Sequence, residues 1–159
     1  TALFPELVEK LIVIDMSPLS YEGFGHQDVF NGLFAVKNAA PQTRQEAKPL
    51  LEKEIDDQDV VQFMLKSFEP SSPNYFRFNL TALFNNYANI MDWEKVHVLT
   101  PTLFIKGGNS SYIKIENSDK ILEQFPHATS LTISGCGHWV HAEKPEFVIR
   151  AIERFVNKN

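Results

Sequence analysis

"TPTLFIKGGNSSYIKIENSDKILEQFPHATSLTISGCG", residues 100–137, holds two short apolar runs separated by a more polar stretch. "TPTLFIKGG" (100–108) and "ATSLTISGCG" (128–137) are rich in apolar and β-branched residues and end in glycines. That is the pattern of strands that stop at tight turns. Between them, "IENSDKILEQF" (115–125) carries apolar residues at 115, 121, 122 and 125, which predicts an amphipathic helix. Strand, helix and strand at these lengths make a βαβ unit of a parallel sheet. Downstream, "KPEFVIRAIERFV" (144–156) places Pro145 near a helix start and repeats apolar residues at helical spacing. Upstream, "KLIVID" (10–15) reads as a third strand, apolar on both faces, and "TALFPELVE" (1–9) as the tail of a helix leading into it.

Residues 19–99 have a different character. Four stretches have helical periodicity: 26–39, 43–55, 57–68 and 79–91, with Pro49 expected to kink or split the second and "EPSSPN" (69–74) to form a loop. Most of the thirteen Phe residues fall between positions 24 and 84, so this region is too apolar for a solvated linker. The chain therefore divides into a core strand with its following loop (1–18), a helical cap (19–99) and a C-terminal βαβα part (100–159). A three-stranded parallel sheet with two apolar faces needs helices on both sides and neighbours at its edges. The chain is accordingly expected to be half of a larger α/β domain.

Composition narrows the function. With 43% hydrophobic and 22% charged residues, the 159-residue chain has the makeup of an ordinary globular protein. A net charge of −5 argues against nucleic acid and an anionic membrane surface as the main partners, since both need clustered Lys and Arg. One cysteine precludes an internal disulfide and fits a reducing compartment. With no signal segment and no long apolar run, the expected location is the cytoplasm.

Active sites of parallel α/β sheets gather beyond the carboxyl ends of the strands. The three strand ends here deliver Asp15 in "VIDMSP", the "GGNSSY" loop and His138 in "GCGHW". An acid and a histidine at one sheet edge form two-thirds of a nucleophile–base–acid triad, in which the carboxylate fixes the imidazole tautomer. Simpler readings stand beside this one. His138 could be a surface histidine in a glycine turn, and Asp15 could cap a turn with Ser17 and Pro18. His138 and His141 have the spacing of a metal pair, but no third ligand accompanies them. Cys136 could be a thiol nucleophile, or a small residue between two glycines.

"SGCGHWVHAEKPEFVIRAIERFV" resembles the end of α/β-hydrolases, where G-x-G-H carries the catalytic histidine. "PTLFIKGGNSSYI" resembles their penultimate strand, and "PELVEKLIVIDMSP" the strand after the nucleophile helix. Together with "QTRQEA" and "QFMLKSF", these motifs resemble the YbfF-type bacterial esterases over residues 1–156. The resemblance implies an α/β fold, the C-terminal part of a hydrolase with three parallel strands, flanking helices and an all-helical cap insertion. It implies His138 as general base. The family's G-x-S-x-G elbow is missing, since Ser17, Ser20, Ser110, Ser111 and Ser134 all lack its flanks. By the family order of elements, the nucleophile and oxyanion hole belong to the N-terminal half of the same domain, which is then the chain's first partner.

The acid departs from the common pattern. Most family members place an Asp three residues after the glycine that ends the penultimate strand, but Gly107 is followed by Gly108, Asn109 and Ser110. Asp15, at the end of the preceding strand, is the expected acid, ahead of Asp92, Asp119 and Glu143. The reaction implied is hydrolysis of a small-molecule ester or thioester through an acyl-enzyme, without metal or organic cofactor, and the chain alone is expected to be inactive. Trp139, Tyr112, Phe34 and Phe63 are candidate pocket walls. The alternatives are a dehalogenase or carbon–carbon hydrolase on the same framework, or a non-catalytic half-hydrolase that holds a partner.

Overall fold

The computed structural model describes residues 1–21 and 25–158, so Phe24, at the head of the Phe-rich region, lies outside the described residues. The chain forms two compact units, one comprising Thr1–Ser20 with Trp93–Asn159 and the other Tyr21–Asp92.

The first unit is built on three strands, β1 (Leu11–Ile14), β2 (Thr102–Gly107) and β3 (Ala128–Ile133), in the order β1-β2-β3. All are parallel, with Ile14 opposite Ile105 and Gly107 opposite Ile133, so their carboxyl ends lie along one edge. Side chains alternate across the strands. Leu103, Ile105 and Ile133 pack with Ile12 and Ile14 against Val148 and Ala151 of α8 (Pro145–Val156). On the opposite face, Phe104 packs with Leu11 and Val13 against Ile121 and Phe125, at α6 (Ser118–Gln124). Helices thus cover both faces, as a parallel sheet requires. β3 is less buried than its apolar reading predicts: with β2 as its one neighbour, Thr129 through Thr132 are exposed.

Three further differences from the sequence reading concern this unit. Residues 1–9 hold one 3-10 turn, Pro5–Leu7, and no longer helix, because so short a segment cannot offset the cost of helix nucleation. A short helix that the sequence did not signal, α7 (Val140–Glu143), follows His138. The helix over 115–125 begins as a 3-10 turn at Ile115–Asn117 before α6. Lys10 donates to the carbonyls of Phe155, Val156 and Lys158 at 3.3, 2.6 and 2.8 Å, so its ammonium closes the C-terminal end of α8.

The second unit is helical: α1 (Gln27–Ala39), α2 (Arg44–Glu52), α3 (Gln58–Lys66), α4 (Leu80–Asn85) and α5 (Tyr87–Met91). Its core joins Leu33, Val36, Leu51, Ile55, Val61, Leu65, Phe76 and Leu80. Thr43 caps α2 by accepting from the Glu46 N–H at 3.2 Å, and Asp57 caps α3 by accepting from Asp59 and Val60. Pro49 does not split α2, which runs on to Glu52. Pro49 and Gln45, whose carbonyl loses its donor, are both exposed, so water can take that carbonyl. The helix read over 79–91 is broken at Asn86, whose side-chain amide donates to the Ala82 carbonyl at 2.9 Å. Such local bonding by Asn competes with the helical ladder.

Candidate active site

β1 ends in a residue with unusual backbone geometry. Asp15 has φ 48, in the left-handed region that Asp tolerates better than most residues, while its N–H still donates to the Ile105 carbonyl at 2.8 Å. The chain therefore turns sharply without leaving the sheet. This turn sets a fully buried carboxylate at the strand edge.

Three donors meet that carboxylate. The Gly107 N–H donates to Oδ1 at 3.0 Å, His138 Nδ1 lies 2.9 Å from Oδ2, and the Ser110 hydroxyl donates to Oδ2 in a short hydrogen bond. Burial by itself would raise the carboxyl pKa. The hydrogen bonds from His138, Ser110 and Gly107 outweigh it and hold Asp15 below its ordinary value. An ionised carboxylate can only accept, so His138 Nδ1 carries its proton and Nε2 is the acceptor in the neutral ring. The His138 side chain remains 34% exposed.

The loop carrying His138 is fastened to the end of β2. Gly108 N–H donates to the Ile133 carbonyl at 2.8 Å and Asn109 N–H to the Cys136 carbonyl at 2.9 Å. A Cβ on Gly107 would stand 2.0 Å from the Gly137 oxygen, so no other residue fits this crossing without displacing backbone. Glu143 accepts the Gly137 N–H at 2.9 Å, bracing the turn before the histidine. The Tyr112 ring stacks on the imidazole with centroids 3.8 Å apart and planes 16° apart, and Trp139 meets it edge-on at 6.0 Å.

The structure therefore gathers Asp15, His138, Tyr112 and Trp139 into one cluster. Phe34 and Phe63 lie in the helical unit, where Phe34 packs edge-on against Phe84 and Phe63 is 45% exposed. Asp92 and Asp119 are exposed, and Asp119 sits in α6. Cys136 is buried with its thiol directed at the Ile133 carbonyl, 3.1 Å away, which suits a turn residue. His141 is exposed, and among the described residues no group of three or more His, Cys, Asp and Glu is gathered as a metal site.

Two residues of the site went unread as such in the sequence. Ser110 stands three positions after Gly107, where the resemblance leads one to look for a carboxylate, and that vacancy was the available signal. Gln124, buried in α6, donates to the Pro18 carbonyl at 2.8 Å and accepts from the Trp93 indole at 2.8 Å and Val96 N–H at 3.1 Å. It ties the loop after Asp15 to α6 and to the segment before β2, and no motif marks it.

Comparison with known proteins bears on the fold. Residues 2–145 match the family model described as the alpha/beta hydrolase fold. The chain is 81% identical, over its whole length and 55% of the relative's, to a Haemophilus influenzae protein named "Putative esterase/lipase". It is 42% identical to esterase YbfF of Escherichia coli, covering 99% of this chain and 61% of that one. A solved structure named a marine microorganism esterase superposes with a TM-score of 0.88 at 32% identity, covering 98% of this chain and 63% of that one. The chain thus spans between half and two-thirds of the length of these proteins. Among the described residues no helix is long and apolar enough to cross a membrane. From its strand order, the placement of Asp15 and His138 at one sheet edge and the family match, the chain belongs to the α/β-hydrolase fold family and is similar to esterases within it.

Proposed function

We propose that this chain is the C-terminal half of a serine hydrolase that cleaves carboxylic esters or thioesters, and that it supplies the general base His138 and its acid Asp15. One observation carries the reading: a buried, ionised carboxylate holds Nδ1 of a histidine that is itself partly open to solvent. The similarity to esterases over roughly half their length supports it. The chain carries no G-x-S-x-G sequence, and on this reading the nucleophile and the oxyanion donors belong to the N-terminal half of the domain.

The chemistry follows from the tautomer. Nε2 takes the proton of the serine hydroxyl as its oxygen attacks the acyl carbon. The imidazolium is stabilised by Asp15, and Nε2 returns the proton to the alcohol or thiol as the bond to carbon breaks. Water then replaces the leaving group, and the same proton path releases the acid. Asp15 keeps the imidazole in this orientation without itself taking a proton. Ser110 acts through Asp15 as a positioning residue, and the stacked Tyr112 limits rotation of the ring. Tyr112 and Trp139 form the pocket wall next to the base. No metal or organic cofactor is called for by this route.

The test is Asp15→Asn in the complete protein. Turnover of a p-nitrophenyl ester should fall by about four orders of magnitude, the scale at which a wrong histidine tautomer is penalised. Thermal unfolding should show that the variant is folded. Asn109→Ala, an exposed position in the neighbouring loop, should leave turnover unchanged. Full activity in Asp15→Asn would overturn the assignment, as would ester hydrolysis by the 159-residue chain alone.

A further inference from the structure

We propose that the groove between α8 and β3 is a binding site for a soluble phosphate monoester with a short apolar body. The groove has a volume of about 500 Å³, within the range of small-ligand sites, and it is lined from α8 by Phe147, Arg150 and Arg154 with Lys144 just ahead of them. Positions 144, 147, 150 and 154 follow helical spacing, so the three cations and the ring form one stripe. The opposite wall is β3 and its following turn, with Leu131 apolar and the hydroxyls of Thr132 and Ser134 as donors.

The charge distribution is the second argument. The chain as a whole is acidic, with a net charge of −5, yet no Asp or Glu lines this groove. Among the described residues the ion pairs are Lys48 with Glu52, Lys95 with Glu123 and His138 with Asp15, so the groove's three cations take part in none. Two guanidinium forks one helical turn apart, with an ammonium beyond them, match the charge and multiple oxygens of a phosphate dianion better than a carboxylate, which would balance one charge of three. Phe147 is 55% exposed and Leu131 41%, and both would be covered by an apolar substituent on the phosphate.

A soluble ligand is favoured over an anionic bilayer on two grounds. The cations line a concavity, and the acidity of the whole chain opposes approach to a negative surface. The groove shares no lining residue with the Asp15–His138 cluster, so the proposal stands or falls independently of the hydrolase reading.

Hexyl phosphate serves as the probe, with the complete protein observed by calorimetry and NMR. Saturable binding is expected, with contacts from the hexyl protons to the Phe147 ring; contacts confined to any other region would overturn the proposal. The double variant Arg150→Gln, Arg154→Gln replaces exposed side chains and should weaken binding roughly tenfold or more, with unchanged melting. Hexanol should bind at least roughly tenfold more weakly than hexyl phosphate. Undiminished affinity in the double variant, equal affinity for hexanol, or no saturable binding would each refute the site. Phosphatidylglycerol vesicles form the other arm. Arginine-dependent co-sedimentation without hexyl phosphate binding would replace the soluble ester with a lipid surface and sink the proposal as stated.

Discussion

The two units of the chain are held together by different means. In the helical unit the buried residues are apolar: Leu33, Val36, Leu51, Ile55, Val61 and Phe76 are all 2% exposed or less. Its polar side chains cap helices at the surface. In the sheet unit, by contrast, lie all the buried polar residues of the described chain: Asp15, Ser17, Thr100, Thr102 and Gln124. A core made of apolar volume tolerates rearrangement at modest cost, whereas a buried polar group demands a fixed partner. The sheet unit is therefore where geometry is specified, and the helical unit is where volume is. Single substitutions should separate these two kinds of constraint.

After Asp15 itself, the largest effect is expected at Gly107, where strand end, carboxylate and histidine loop meet. Gly107→Ala would place a Cβ 2.0 Å from the Gly137 oxygen and 3.1 Å from the Cys136 oxygen, so the loop must move away. The same residue donates its N–H to Asp15, so both ends of the Asp15–His138 hydrogen bond are displaced together. Turnover in the complete protein should fall about a hundredfold, the scale of a 1 Å misplacement, and the downfield His138 Nδ1–H resonance should disappear. An unshifted resonance would show that the crossing is softer than its geometry implies.

This contrast also explains what could be read in the sequence. Strand 100–108 announces itself because residues buried on both faces must be apolar without interruption, with glycines where it stops, and strand 10–15, though only half-buried, carries the same unbroken apolar run. Their parallel order then puts Asp15 and His138 at the same edge before any side chain is placed. The family resemblance supplied the histidine's role, and the strand-end argument and the vacancy after Gly107 both led to Asp15. Ser110 and Gln124 stayed hidden because their partners are 95 and 106 residues away, beyond any local pattern. The break at Asn86 was missed for the opposite reason. Apolar periodicity over 79–91 is indifferent to a side chain that bonds its own backbone four residues back.

In the helical unit the sensitive quantity should be volume. Leu51 is fully buried in the core with Leu33, Ala47 and Ile55. Leu51→Ala should cost about 2–5 kcal/mol by denaturant titration, from lost burial and the cavity left behind. Leu51→Met preserves volume and should cost less than about 1.5 kcal/mol. Equal costs for the two would mean that shape as well as volume is specified there, and would erase the distinction drawn between the units.

The smallest effect, and the one that probes the polar side of the comparison most directly, is the pH dependence of stability. Hydrogen bonds from His138, Ser110 and Gly107 hold the folded-state pKa of Asp15 below the unfolded value of 3.8. As pH falls through 3.8, the unfolded chain takes up the proton while the folded chain does not, so protonation favours unfolding. The stabilisation contributed by Asp15 is thus fully present above 3.8 and disappears as pH falls through the lower folded value. Asp15→Asn has no carboxylate to titrate. Its stability should be lower near neutrality, and its decline should be shallower than the wild-type curve below the ordinary aspartate range. Parallel acid limbs would show that the three donors around Asp15 orient the side chain without stabilising its charge, and the sheet unit would then owe its specificity to shape alone.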